Sequence, residues 1–385
     1  MTAGNIEGWF EHHISADIPL AMRQYYLATQ DTAWLARAWP ALNASCQFWA
    51  CRFSRTDAAP RAQGCGGKDG AGNFTIKRAQ GPDENAGVVD DQLYTIGAGA
   101  ATLAFCGAAA AALGLPPPPT LWAEIARSPY LPVNDSLYSG GAVHPEYFGY
   151  SGAHINQADV ALLQYPLGIQ FDAELAQRDL DFYSGRTGLA QQQQQQQRQP
   201  GESICPFFTG NSAYGIAYLA LGNRTAADAQ FELGFLHQAP GFNVWTEYTP
   251  EAGFGHWNFI TGAGGWLQAV LYGYPGARLP PGGGVLRFAT PVSTLPPGGV
   301  TRVKLRGLHL LGAAFHFAYD AAQICVSSDG GAAALQLRVE ATGETLAITG
   351  AEACVPLQAV AVERLGSGAA AAAASAAAAA AAAKK

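Results

Sequence analysis

Apolar residues recur at helical spacing from Asp17 to about Tyr274, and after Pro280 the spacing changes to two. A segment can bury one face at only one of these periods, so the chain must fold as a helical part followed by a strand part. Asp17 reads as a helix N-cap, with Pro19 in the first turn and Ile18, Met22 and Tyr25 on one face. Leu42, Cys46, Trp49 and Phe53 form the next apolar stripe. Leu93, Ile96, Leu103, Cys106 and Leu113 mark a long helix, stopped by Gly114 and the run Pro116 to Pro119. The pattern predicts further helices over 158–164, 173–184, 212–222, 226–238 and 263–273, about nine in all. Beyond Pro280, stretches beginning at Val285, Arg302, Ala314, Leu335 and Thr345 alternate between Gly and Pro breaks, which predicts a small antiparallel β domain. The boundaries expected are 1–279 for the helical domain, 280–366 for the β domain and 367–385 for an alanine-rich tail. The glutamine run Gln191 to Gln197 reads as a loop insertion and carries no chemistry.

A chain of 385 residues can bury a sizeable core. Its net charge is -7, and its 22 basic residues are scattered, so it lacks the basic stripe that a nucleic acid requires. A neutral ligand such as a sugar fits better. The seven cysteines form no CxxC pair, which argues against a disulfide framework or a zinc site and predicts mostly buried thiols. Asn43, Asn73, Asn134 and Asn223 head glycosylation sequons, whereas Met1 to Gly4 begin no signal peptide. The compartment therefore stays open, cytoplasmic by default and secretory or vacuolar if the sequons are used. No stretch reads as apolar for long enough to span a bilayer, and the tail, with Ser375 inside it and Lys384 behind it, does not read as an anchor.

Two carboxylate motifs stand out in a chain that is only 13% charged: Gly81-Pro82-Asp83-Glu84 and Trp245-Thr246-Glu247. Glycoside hydrolysis needs one carboxyl to protonate the leaving oxygen and another to activate water or attack carbon. Trp245, Tyr248, Phe254, Trp257 and Phe259 crowd Glu247 and suit a sugar subsite, because apolar ring faces stack on aromatics. Taken alone, an Asp-Glu pair after Gly-Pro is more often a solvated turn, and an acid beside Trp more often an ordinary surface residue. His12 and His13 lack a third metal ligand at useful spacing and read as packing groups. His144 and Glu146 could line the cleft or fix a loop. Gly262, Gly264 and Gly265 lack the Lys-Ser/Thr ending of a phosphate loop, so no nucleotide site is expected.

Taken with His12 to Ile18, Gln24 to Asp31, His144 to Tyr147, Gln157 to Val160 and Asn258 to Gly262, these motifs, in this order, resemble glycoside hydrolase family 65. The likeness is greatest to the branch that holds the acid trehalases and the glucosidases of glucosylgalactosyl-hydroxylysine. It covers most of residues 6–280. It implies an (α/α)6 toroid followed by a small β domain, no metal or organic cofactor, and an inverting exo-α-glucosidase acting on a terminal α-linked glucose. Glu84 matches the family's general acid and Glu247 its general base, while Asn156, Gln157 and Trp245 fall at substrate-binding positions. An α-glucoside, glucosylgalactosyl-hydroxylysine or trehalose, is the partner implied.

The chain also departs from the family pattern. Asn156 stands where a lysine usually precedes the glutamine, removing a charge-assisted contact of perhaps ~1.5–3 kcal/mol. Asn85-Ala86 and Asp90-Asp91 replace Tyr-His and Asn-Asn after the acid, and Phe148 replaces an acidic residue. The family's N-terminal sandwich and first barrel helices have no counterpart before Ile6, so an incomplete ring is expected. These departures keep a second class open, a degenerate, non-catalytic sugar-binding chain. Oligomeric state is not legible.

Overall fold

In a computed structural model, the described residues are 7–57, 71–187, 209–241, 243–250, 255–288, 295–329 and 335–365. The glutamine run, the alanine-rich tail and Phe254 lie outside them. The chain forms two compact units, one made of Met1–Arg23 and Thr32–Ala269, the other of Gln24–Asp31 and Val270–Lys385.

The first unit is helical. Its early helices are α1 (Glu7–Phe10), α2 (Ile14–Thr29, whose last turns belong to the second unit) and α3 (Thr32–Arg52). Asp17 lies inside the first turn of α2 instead of capping it, and its carboxylate accepts from the Tyr94 hydroxyl at 2.8 Å. Pro19 cannot donate to the Ser15 carbonyl one turn back, and the Ser45 hydroxyl donates to that carbonyl instead at 2.7 Å. The long α4 (Leu93–Ala112) is capped by Gln92, whose side-chain oxygen accepts from the Thr95 N–H, and α5 (Thr120–Arg127) follows the proline run. Gly99 of α4 lies against Trp49 of α3; a Cβ there would stand 2.6 Å from the indole. Then come α6 (Asp159–Gln164), α7 (Ala173–Ser184), α8 (Asn211–Ala220), α9 (Arg224–Leu233) and α10 (Ile260–Gln268).

Two sequence expectations are corrected here. Cys46 and Cys106 form a disulfide between α3 and α4, Cys325 and Cys354 form another, and Cys51 is disulfide-bonded as well. The bridged partners lie 60 and 29 residues apart, separations that only tertiary packing brings together and that no local Cys spacing shows. Leu93–Ala112 is also long and apolar enough to cross a membrane by length and composition, with 67% of its apolar window buried in the unit. Its alanines disguise that length, and its burial makes it a core helix.

The second unit is a β-sandwich. Its strands are β5 (Ala277–Arg278), β6 (Val285–Phe288), β7 (Arg302–Leu310), β8 (Ala313–Asp320), β9 (Gln323–Ser327), β10 (Leu335–Val339), β11 (Thr345–Ile348), β12 (Ala353–Pro356) and β13 (Val360–Arg364), counted after four short strands in the helical unit, β1 (Ser54–Arg55), β2 (Phe74–Thr75), β3 (Gln238–Ala239) and β4 (Val244–Trp245). One sheet runs β11-β10-β13-β6-β5 and the other β12-β9-β8-β7, with antiparallel pairing throughout. Phe288 of one sheet stacks on Phe317 of the other, with ring centroids 3.7 Å apart, at the centre of the core. The last turns of α2 join this unit: the Leu27 and Ala28 carbonyls accept from the backbone N–H groups of Gly284 and Leu311.

Candidate active site

Glu84 opens a single 3-10 turn, Glu84–Ala86, between extended Asp83 and left-handed Gly87 (φ 63°). Its carboxyl is exposed, whereas Asp83 beside it is 1% exposed. Asp83 is held on both its backbone and its side chain. Its N–H donates to Asp159 Oδ1 at 3.0 Å, and its own Oδ1 accepts from the Asn156 N–H at 3.0 Å. The second oxygen of Asp159 accepts from the Gln92 side-chain amide at 2.7 Å. Gln92 is oriented by its carbonyl oxygen, which accepts from both the N–H and the hydroxyl of Thr95. Gly81 has room for no side chain: a Cβ would stand 2.3 Å from Gln92 Nε2 and 2.4 Å from Asp159 Oδ2.

A third acid completes this buried group. Glu146 is 1% exposed, and its backbone carbonyl accepts from the Leu93 N–H at the start of α4. Burial first, and then the charges of Asp159 and Asp83, push its carboxyl well above the ordinary range. Burial likewise raises Asp83 and Asp159. His144, two residues earlier, has a different role. Its Nδ1 bonds to buried Asp179 at 2.7 Å and its N–H donates to the same carboxylate, a pairing that fixes the loop.

Glu247 follows β4 (Val244–Trp245), which pairs with β3 (Gln238–Ala239). It is half-buried and doubly tied to His256: its N–H donates to the His256 carbonyl at 2.9 Å, and its Oε2 accepts from the His256 N–H at 2.9 Å. Trp245 donates its indole N–H to the Gly234 carbonyl and packs its ring 5.2 Å from Trp266. Trp266 in turn stacks on Phe231, so part of the aromatic crowd around Glu247 is core. Trp257, 56% exposed, presents its ring to solvent.

The hydrogen bonds therefore group Glu84, Asp83 and Asn156 on one side, and Trp245 and Glu247 on the other. Both groups brace on α8. The Thr209 hydroxyl, just before α8, donates to the Asn156 carbonyl at 3.3 Å, and α6 packs on the same helix. On the other side Gly265 of α10 abuts Ser212 of α8, and Phe259 N–H donates to the Trp245 carbonyl. Gln157, half-buried, leads directly into α6. An open cavity of about 500 Å³ beside α3, with Trp39, Asn43, Gln47 and Trp122 in its wall, includes none of these residues. Among the described residues, the one cluster spaced to hold a metal is Cys325, Glu352 and Cys354, and its two sulfurs are already bonded to each other.

No family model matches the chain. It is 33% identical over 282 residues to a kojibiose hydrolase of Mucilaginibacter mallensis, a match spanning 73% of this chain and 36% of that protein. It is 31% identical over 318 residues to a protein-glucosylgalactosylhydroxylysine glucosidase of Dictyostelium discoideum, spanning 81% of this chain and 39% of that one. The chain is a homologue of these glycoside hydrolase family 65 proteins. The fold is similar to that of a solved structure, a putative kojibiose phosphorylase from human microbiome, which superposes with a TM-score of 0.59 at 12% identity, covering 89% of this chain and 46% of that one. The chain thus spans about two fifths of the length of the curated family 65 relatives it matches. Sequence reasoning singled out both acid motifs of the family 65 pattern but not the pairing of Asp83 with Asp159. The available signal was that both lie in motif stretches of a chain poor in charge.

Proposed function

We propose that this chain is an inverting exo-α-glucosidase that hydrolyses a terminal α-linked glucose. The observation that carries the reading is the mounting of Glu84, an exposed carboxyl on a turn whose preceding residue is buried and bonded at both backbone and side chain. Such mounting restricts a catalytic group to few geometries, as general acid catalysis needs. Glu84 gives its proton to the glycosidic oxygen as the C1–O bond breaks. Glu247 takes a proton from the water that attacks C1 on the opposite face, so β-glucose leaves first. Asn156 and Gln157 offer neutral amides to the sugar hydroxyls, and Trp245 contributes to the aromatic wall. No metal or organic cofactor enters this scheme.

The relatives' names support kojibiose or glucosylgalactosyl-hydroxylysine as the leading substrate. Trehalose is the alternative, since the chain is also 26% identical to an acid trehalase of Emericella nidulans, over 71% of its length. The helical unit reads as part of an (α/α)6 toroid, and Ile14 and Ile18 on α2 and Ile260 and Leu267 on α10 are all about half exposed or more. Asn156 in place of a lysine favours the second reading, a sugar-binding chain without turnover. Proton NMR of the purified chain with kojibiose, glucosylgalactosyl-hydroxylysine and trehalose tests both, beside Glu84→Gln and Glu247→Gln. Early β-glucose, slowed about 10²–10⁴-fold by either substitution, supports the hydrolase. Early α-glucose overturns inversion, and no glucose from folded protein leaves the binding reading.

A further inference from the structure

Three carboxyls, those of Asp83, Glu146 and Asp159, are each 1% exposed or less. Three neighbouring carboxylates cannot all stay ionised in such a place, because each charge is desolvated and repelled by the others. The distribution of donors decides which one is neutral. Asp159 accepts at both oxygens, from the Asp83 N–H and the Gln92 amide, and Gln92 cannot turn its own oxygen toward Asp159 because Thr95 occupies it. Asp83 accepts from the Asn156 N–H, with the Asn85 N–H also lowering its proton affinity. Glu146 receives nothing: neither Oε has a hydrogen-bond partner of full geometry, although both aspartates lie close enough to act on it. The charges that act on the cluster from outside are also negative, Glu11 on Asp159 and Glu84 on Asp83, while Tyr94, Tyr147, Tyr150, Tyr183 and Tyr214 are all pushed upward by burial and stay neutral.

We infer that Glu146 is a positioning residue that holds the proton of this cluster and, as a neutral O–H donor between the Asp83 and Asp159 carboxylates, fixes the segment carrying Glu84 and the backbone of Asn156. An ionised Glu146 would push Asp83 away from the Asn156 N–H. A neutral one draws Asp83 in without a countercharge, so the turn stays rigid at the pH at which Glu84 works. The role in turnover rests on the glucosidase reading; the proton and the rigidity do not.

The test uses the full chain, as wild type, Glu146→Gln and Glu146→Leu. Infrared spectroscopy at neutral pH should show the carbonyl band of a protonated carboxyl in the wild type and lose it in Glu146→Gln. Hydrogen exchange should leave the Asp83 and Asn156 amides as protected in Glu146→Gln as in the wild type, and accelerate both at least tenfold in Glu146→Leu while α4 is unchanged. If the chain hydrolyses kojibiose, kcat should fall and KM should rise in the same order. If it does not, the first two readouts still decide the inference. No protonated-carboxyl band, a band that survives Glu146→Gln, or equal amide exchange in all three proteins overturns it. Should Glu146→Leu not fold, Glu146→Asp, which withdraws the carboxyl by one methylene, replaces it.

Discussion

The backbone N–H of Asp83 donates to Oδ1 of Asp159 at 3.0 Å, across 76 residues of sequence. This bond ties the loop that carries Glu84 to the first turn of α6, the helix entered through Asn156 and Gln157. The proposed acid and the proposed sugar-binding amides therefore share one support, and disturbing that support should disturb both.

Gly81 tests the point without replacing a titratable group. Its Cβ would fall inside contact distance of both Gln92 and Asp159, neither of which has space to retreat. Gly81→Ala should cost about 1–3 kcal/mol by overpacking. Chemical denaturation would measure the loss, and, if the chain is the proposed glucosidase, glucose release should fall more steeply than stability does.

Glu146 gives stability a pH slope. Its carboxyl is raised from an ordinary 4.5, so between that value and its folded one the native state holds a proton that the unfolded chain has released. The stability this group contributes is therefore full below about pH 4.5 and is lost as pH rises, by at most about 1.4 kcal/mol per unit. Urea melts from pH 5 to 8 should show Glu146→Gln gaining on the wild type at each step.

His12 gives the opposite slope. Burial first, and Arg52 next, lower its pKa from 6.5 to about 4. Below pH 6.5 the unfolded chain takes up a proton that the native chain refuses, so this stability is present above 6.5 and is lost as pH falls toward 4. His12→Phe, whose ring can keep the edge contact that His12 makes with Phe48, should flatten melting temperature against pH in that window.

The Cys46–Cys106 bridge closes a long loop, since its ends are 60 residues apart. Replacing both cysteines with alanine should cost about 2–4 kcal/mol, chiefly by freeing the unfolded chain. Thermal and urea melts of the wild type and the double variant, both without reductant, would measure the loss.

Elements with a clean period and a local cap were legible in sequence. The helix expected over 173–184 is Ala173–Ser184, capped by Asp172, and the strand expected from Val285 is Val285–Phe288. Where a break is tolerated instead of obeyed, the reading fell short. The strand beginning at Arg302 runs to Leu310, because Gly307 (φ 67°) accommodates a register shift between Leu305 and Leu308 that looks like an end in sequence. Helix α5 was missed because eight residues after a proline run show scarcely two turns of period. Of the candidate site, Glu84 and Glu247 were visible as residue types in motifs. Their supports were not: the Asn156–Asp83 bond spans 73 residues, and His256 holds Glu247 through backbone atoms that carry no residue identity.

The β-sandwich is not a contiguous appendage. It begins with eight residues borrowed from the middle of the chain's N-terminal helices, and the exposed carbonyls at the end of α2 are satisfied by Gly284 and Leu311. A stop codon anywhere before Gly284 would delete strands and at the same time leave a helix unsealed far upstream. Selection cannot discard such a module by simple shortening, so α2 and the sandwich must be inherited, or lost, together.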